Sequence, residues 1–322
     1  MILDVVLIVV GVAMVLLGAD KLTEGASALA RRMNVPEIII GLTIVAAGTS
    51  APELFVSLVS ALKGTPDLAV GNVVGSNTMN AMLIVGCAAM VAPMAISPST
   101  VKKDIPFSIG ASVLLIVIAL DSILGRLDGI ILLLGFAAFM TYTLLQSRNR
   151  VTGDESLVMD NSNSQHPTSN AQQPSVFVSI FYLLGGLAAL VVGSNLFVDA
   201  ASNVAYGIGV SEGVVGLTIV AGGTSLPELA TSVVAARKGQ SAIAIGNVIG
   251  SNVFNILLIL GLTAAISPLE IEGITTIDMA VMLLSVALVW LFSRTRYTVE
   301  RWEGAVLVVG YLAYLGWLIS SL

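Results

Sequence analysis

The stretch Gly41 to Gly86 returns as Gly216 to Gly261, an offset of 175 positions, with about 28 of 46 residues identical and no gap. Repetition of that length at one fixed offset means that a structural unit is built twice. Each copy sets an acid in an otherwise apolar stretch: Gly48-Thr49-Ser50-Ala51-Pro52-Glu53 in the first, Gly223-Thr224-Ser225-Leu226-Pro227-Glu228 in the second. Downstream, Gly71-Asn72-Val73-Val74-Gly75-Ser76-Asn77-Thr78-Met79-Asn80 is matched by Gly246-Asn247-Val248-Ile249-Gly250-Ser251-Asn252-Val253-Phe254-Asn255. The correspondence extends to Gly11 and Gly186, Gly18 and Gly193, Asp20 and Asn195, Glu24 and Asp199, and Glu37 and Glu212. Each half is therefore expected to supply one matching part of a shared site.

The repeat lies in a chain of 322 residues that is 56% hydrophobic and 11% charged, with mean hydropathy +0.97, too apolar for a water-soluble domain. A bilayer core takes about 20 helical residues per crossing. Ten segments of that kind can be drawn, at 2–31, 36–62, 68–91, 105–121, 127–146, 176–207, 211–236, 242–267, 275–293 and 303–320. The expected fold is an all-α integral membrane protein of ten transmembrane helices. Five crossings per copy is an odd number, so the second copy runs through the membrane the opposite way, giving two inverted five-helix repeats. The expected division is a first repeat at 1–146, a polar linker at 147–175 and a second repeat at 176–322. Met1 to Gly18 lacks a basic leader and a small-residue cleavage site, so it reads as a retained span.

Charge sets the expected orientation. With both termini outside, Arg31, Arg32, Lys102, Lys103, Arg148, Arg150, Arg237, Lys238, Arg294, Arg296 and Arg301 all fall on the cytoplasmic side, and only Lys63 and Arg126 lie in outside loops. That places the protein in the plasma (inner) membrane as a multi-pass chain with a cytoplasmic linker. A net charge of −6 with no basic patch beyond the juxtamembrane loops points away from nucleic acid, leaving the lipid bilayer as the evident partner. Cys87 is the sole cysteine, so neither an internal disulfide nor a thiolate cage is expected, and the sole histidine, His166, lies in the Ser- and Asn-rich linker.

Pro52 has no N–H for the carbonyl of Gly48, and Pro227 stands in the same relation to Gly223, so each helix is expected to bend or open there. Thr49, Glu53 and Ser57 share one helix face, as do Thr224, Glu228 and Ser232. The next helices add stripes at Asn72, Ser76 and Asn80, and at Asn247, Ser251 and Asn255. Applying the internal symmetry brings two carboxylates together with hydroxyls, amides and backbone carbonyls near mid-bilayer. An unpaired carboxylate at that depth costs several kcal/mol, so Glu53 and Glu228 must be protonated, paired or cation-bound. Hard cations that prefer oxygen fit, Ca²⁺ with roughly 6 to 8 ligands above all, with Na⁺ using subsets of them and Mg²⁺ less suited. The glycines suit close helix packing, and Asn72 and Asn247 suit packing and ligation equally. Glu24 and Asp199 are expected at the interface, and Glu37 and Glu212 at helix starts, where an acid complements the dipole.

At these residues the chain resembles the sodium/calcium exchanger family of the calcium/cation antiporter superfamily, in its prokaryotic form. The paired Gly-Thr-Ser-x-Pro-Glu and Gly-Asn-x-x-Gly-Ser-Asn motifs carry the likeness. The resemblance implies a secondary antiporter that exchanges Ca²⁺ for Na⁺ by alternating access, with the first helix of each half sliding across a central site. It implies no cofactor, since both ions are transported substrates. It further implies that Glu53 and Glu228 bind both ions and that Thr49 and Thr224 help ligate Ca²⁺. Ser50, Ser76, Ser225, Ser251 and the carbonyls of Ala46 and Ala221 would serve Na⁺. Asn255, the partner of Asn80, departs from the pattern, since familiar members carry aspartate there. Two acids in the central site leave ion stoichiometry open and keep a H⁺-coupled cation antiporter as an alternative. A cation channel would need no inverted repeat, and no nucleophile or metal-activated water is recognisable, so an enzyme is not expected.

Overall fold

The computed structural model describes residues 2–153, 175–208 and 221–320. His166, Glu212 and the start of the expected seventh span lie outside the described residues. The chain is mostly helical, and among the described residues seven helices are long and apolar enough to cross a membrane, or eight when one bent pair is counted as a span. Helical segments occupy all ten expected positions. Two of them are shorter than a full crossing among the described residues: Ile105–Ile118 has 14 residues and Leu226–Arg237 has 12.

Burial sorts the helices into centre and rim. Pro66–Val91 and Ser241–Ile266, which carry the two Asn and Ser stripes, are 78% and 94% buried over their apolar windows, whereas the other long helices range from 17% to 39%. The central pair is enclosed by protein, and the rim exposes Ile2, Leu3, Val9, Leu17 and their like. That apolar surface suits lipid, because every rim helix satisfies its own backbone.

Ile2–Met33 and Val176–Gly207, 32 residues each, pack antiparallel along one another. A Cβ on Gly11 would stand 2.8 Å from the carbonyl oxygen of Gly193, and one on Gly18 2.8 Å from that of Gly186. Glycine at these four positions lets the two backbones touch. Gly86 meets Gly304 and Gly129 meets Gly261 in the same way, and each of these contacts joins one half of the chain to the other. Gly246 and Gly250 also pack closely, against Ile38, Gly41, Leu42 and Ala46. Gly75, expected to pack likewise, has no heavy atom within 4 Å of the place its Cβ would take among the described residues.

The expected breaks are present. Glu37–Thr49 and Ala51–Leu62 meet at 45°, with Ser50 at φ −82°, ψ 6° between them. Pro52 falls in the first turn of the second segment, where its missing N–H has no helical partner to lose. Ser225, at φ −92°, ψ 7°, separates Ala221–Thr224 from Leu226–Arg237 in the same manner. The Gly48 carbonyl, expected to be freed, accepts a backbone N–H at the cap, as does Ala46.

Three features depart from the expected plan. Wider π-helical turns interrupt the helices at Gly41–Val45, Asn80–Ile84, Thr100–Asp104 and Phe254–Leu260. Two minimal antiparallel strand pairs modify the all-α expectation: Met94–Ala95 with Thr298–Val299, and Ile123–Leu124 with Leu269–Glu270. Each pair clasps a connector of one half to a connector of the other. The helix from Arg126 also runs on through Gly153, past the expected linker boundary, and Ser175 caps the next helix by accepting from the Val178 N–H at 3.3 Å.

Adjacent glycines provide a stability test of the long-helix contact. A Cβ on Gly186 would fall 2.5 Å from the Leu22 nitrogen, whereas Gly185 has open space. Gly186→Ala is expected to destabilise the protein by about 1–3 kcal/mol through overpacking, while Gly185→Ala stays within ~0.5 kcal/mol of wild type or gains slightly in helix propensity. Thermal unfolding of the two variants in the same detergent separates them.

Candidate cation site

The two kinked segments and the two central helices converge on the repeated acids. Glu53 and Glu228 are 1% and 0% exposed, so both carboxylates are shielded from bulk water. Each acid is held by the other half: Ser225 Oγ donates to Glu53 Oε1 at 3.1 Å, and Ser50 Oγ donates to Glu228 Oε1 at 3.1 Å. These serines are the residues at the helix breaks, where non-helical backbone turns the hydroxyl across the interface. Ser76 joins this arrangement, its Oγ 3.2 Å from that of Ser225, while the equivalent Ser251 Oγ is buried without a partner.

Asn72 and Asn247 each brace the acid-bearing helix of their own half, and Asn247 also reaches the other half. Asn72 Nδ2 donates to the Glu53 carbonyl at 3.2 Å and Ser57 Oγ at 3.0 Å; Asn247 Nδ2 donates to the Glu228 carbonyl at 3.3 Å and Ser232 Oγ at 3.0 Å. The Asn247 amide oxygen lies 3.0 Å from Thr49 Oγ1, which is also 3.1 Å from the Val45 carbonyl. Thr49 is fully buried and Thr224 half-buried, so the two expected equivalents sit in different surroundings. Ala46 offers its carbonyl to the Ser50 N–H at 3.0 Å, and Ala221 begins the short segment that ends at Thr224.

Beneath the acids, four asparagines link the halves. Asn77 Nδ2 donates to the Asn252 carbonyl at 3.2 Å, and Asn252 Nδ2 reaches the Asn77 carbonyl at 3.5 Å. Asn80 Nδ2 donates to Asn252 Oδ1 at 3.1 Å, and Asn255 Nδ2 donates to Asn77 Oδ1 at 2.9 Å. Asn77 and Asn252 fall outside the polar stripes read from the sequence. Their adjacency to Ser76 and Ser251 in the repeated motif is the signal that marks them.

Glu53 Oε2, Glu228 Oε2, Asn80 Oδ1, Asn255 Oδ1 and Ser251 Oγ remain, all buried and lacking a hydrogen-bond partner. Orphaned buried polar atoms cost roughly 1–3 kcal/mol each, and more when charged. Here all five are oxygens from the two repeats, and none belongs to a residue with a soft ligand. The orphaned atoms are carboxylate, amide and hydroxyl oxygens, not the thiolate or imidazole donors that a transition-metal cage draws on. Two carboxylates supplemented by neutral oxygens suit a hard cation instead.

The flanking acids lie at the periphery. Lys21 Nζ pairs with Glu24 Oε2 at 2.8 Å, and Arg31 pairs with Glu37 at 3.5 Å in the first turn of its helix. Asp199 is exposed.

The family model described as sodium/calcium exchanger protein matches residues 3–145 and 178–320, nearly all of both halves. The chain belongs to the sodium/calcium exchanger family. This exchanger is 34% identical over 340 residues to the sodium/calcium exchanger MaX1 of Methanosarcina acetivorans, covering 96% of each chain. It is 35% identical over 325 residues to the putative antiporter CaxA of Alkalimonas amylolytica, covering 100% of both. Among solved structures it is similar to the sodium-calcium exchanger NCX_Mj, with TM-score 0.84, 30% identity and coverage of 98% of this chain and 99% of that one. NCX_Mj has been studied soaked with Na⁺ and Ca²⁺ and with Na⁺ and Sr²⁺.

The asparagine link in the exchanger should behave as a unit. Asn77→Ala and Asn252→Ala each strand buried partners and are expected to cost about 1–3 kcal/mol. The double variant should cost less than the sum of the two, as measured by a double-mutant cycle on thermal or denaturant unfolding in detergent.

Proposed function

We propose that the protein exchanges Na⁺ for Ca²⁺ across the inner membrane by alternating access at the Glu53–Glu228 site. One observation carries this reading: each acid spends one carboxylate oxygen on a serine of the opposite half and leaves the other, with Asn80, Asn255 and Ser251 oxygens, buried and unpartnered. A cation of charge two balances both carboxylates and fills their remaining acceptor sites. Glu53, Glu228, Thr49 and Thr224 form the Ca²⁺ set. Ser50, Ser225, Ser76, Ser251 and the Ala46 and Ala221 carbonyls form the Na⁺ subsets, and Asn80 and Asn255 supply neutral oxygens from below. Na⁺ and Ca²⁺ sharing the same glutamates cannot occupy them together, so binding of one expels the other.

The ten-helix plan belongs to the same proposal. Residues 1–146 and 176–322 form inverted five-helix repeats, 147–175 links them on the cytoplasmic side, and both termini face outside. The glycine contacts support it: Gly11 with Gly193 and Gly18 with Gly186 pair in opposite chain directions, as inverted copies require. The basic-residue asymmetry supports the orientation. Na⁺ coupling is preferred over H⁺ coupling because the family model and MaX1 are both described by sodium and calcium. No cofactor and no catalytic group enters the scheme.

In sealed vesicles loaded with Na⁺, an outward Na⁺ gradient is expected to drive Ca²⁺ uptake, and Glu53→Gln or Glu228→Gln to abolish it. Uptake that follows a pH gradient without Na⁺, or that survives both substitutions, rejects the scheme. Ca²⁺ at 100 times its dissociation constant should stabilise the wild type by about 2.7 kcal/mol in detergent. Thermal unfolding of the Gln variants should show little of that gain.

A further inference from the structure

The two halves differ at one end of the long helices, and the difference centres on a lysine. Lys238 Nζ pairs with Asp20 Oδ1 at 2.7 Å and donates to the Asp20 carbonyl at 2.8 Å and to Thr23 Oγ1 at 3.0 Å. These bonds fasten the end of Leu226–Arg237 to Ile2–Met33, and the two helices pack along one another. The repeat places Lys63 where the second half has Lys238, but it places Asn195 and Val198 where the first half has Asp20 and Thr23. Carboxylate and hydroxyl are both missing, and among the described residues Lys63 is exposed and makes no ion pair. Val176–Gly207 correspondingly lacks comparable packing along Ala51–Leu62. A cavity of about 190 Å³ opens in that gap, lined by Pro52, Phe55, Val56, Asn195, Val198 and Thr224. Thr224, which lines this cavity, is half-buried, whereas Thr49 is buried.

The long helices are also tied to each other at the latched end. Lys21, paired to Glu24, sits 4.6 Å from the centre of the Tyr182 ring, a cation–π contact from one long helix to its partner. The repeat replaces Lys21 with Leu196. A pull on Ile2–Met33 is therefore passed to Val176–Gly207.

We infer that Lys238, Asp20 and Thr23 form a one-sided latch that holds the paired long helices against the Arg237 end, so that the cation site is approached from the Phe55 end. They are positioning residues that set the balance between the two access states without touching the ions. This rests on the alternating-access reading. The Lys238 and Asp20 side chains are 29% and 45% exposed, so the ion pair is weak by itself. Together with its two hydrogen bonds it suffices to move a two-state balance by roughly three- to tenfold.

The test uses the full chain in vesicles, in a Cys87→Ala background, with a reporter cysteine at Phe55 or at Ala230, its buried repeat equivalent. A membrane-impermeant maleimide is applied from either side. With the latch intact, Phe55→Cys should label fast and Ala230→Cys slowly. Asp20→Asn, which installs the residue type the repeat carries at Asn195, and Lys238→Ala should each change that ratio by roughly three- to tenfold towards Ala230→Cys. The charge swap Asp20→Lys with Lys238→Asp re-forms the ion pair without the two bonds that Lys238 donates and should restore the ratio in part. Asn195→Asp with Val198→Thr, which offers Lys63 a partner, should shift the ratio the same way as the latch-breaking variants. Labelling unchanged in Asp20→Asn and Lys238→Ala, or a swap that restores none of the ratio, overturns the latch. Labelling reports geometry and needs no ion turnover. A chain whose labelling shifts as expected while Na⁺-driven Ca²⁺ uptake is absent keeps the latch and loses the antiport reading.

Discussion

The reciprocal bond between each glutamate and the serine of the opposite half is the constraint on which the rest of the structure depends. Neither half can bury its acid alone, because the hydroxyl that satisfies Glu53 comes from Ser225 and the one that satisfies Glu228 comes from Ser50. The site therefore exists only while the halves are in register. Register is supplied by contacts that cross between halves: backbone to backbone at Gly11, Gly18, Gly86 and Gly129, amide to amide through Asn77 and Asn252, and strand to strand at the two clasps. These contacts are short-ranged and stiff, and a displacement of about 1 Å at the interface would separate a hydroxyl from its carboxylate.

Much of the site was legible because duplication exposes it. The acids, the hydroxyls beside them and the proline breaks stand out as the polar residues retained in both copies of an apolar stretch. Helical spacing then put Thr49 with Glu53, and Asn72 with Ser76. A repeat shows which residues are equivalent but not which ones touch, so the exchange of serines between acids could not be read from it. Asn77 was missed because a face drawn at 3.6 residues per turn excludes the neighbour of Ser76, and its partner lies in the other half. The π-helical turns at Asn80–Ile84 and Phe254–Leu260 were invisible for a related reason. Their sequences have the apolar character of any buried helix, so nothing in them marks a wider turn that starts at Asn80 in one copy and just before Asn255 in the other. The strand clasps are two residues long and leave no periodicity to detect.

Where the copies differ, the structure differs. An exact duplication folded as inverted halves would have two access states of equal energy, related by the internal axis. Substitutions that break the duplication lift that degeneracy. Asp20 against Asn195, Thr23 against Val198 and Lys21 against Leu196 all fall on the long helices, the elements that lie over the site, and all strengthen the same end. Around the acids the copies are better matched: Glu53 and Glu228 each take a serine from the other half, and Asn72 and Asn247 make equivalent bonds.

The same geometry bears on how the proposed exchange would couple movement to ion binding. Glu53 and Glu228 have no lysine or arginine partner among the described residues, and in the proposed alternating-access scheme the long helices would pass an apolar wall over two carboxylates. With both carboxylates ionised and no cation between them, that step removes residual solvation from like charges and is opposed. A bound cation cancels the charge and fills the free oxygens, so the wall passes over a neutral site. In that scheme coupling follows from electrostatics: the loaded site would cross, the empty ionised one would be held back, and a second ion species would have to bind before the site could return.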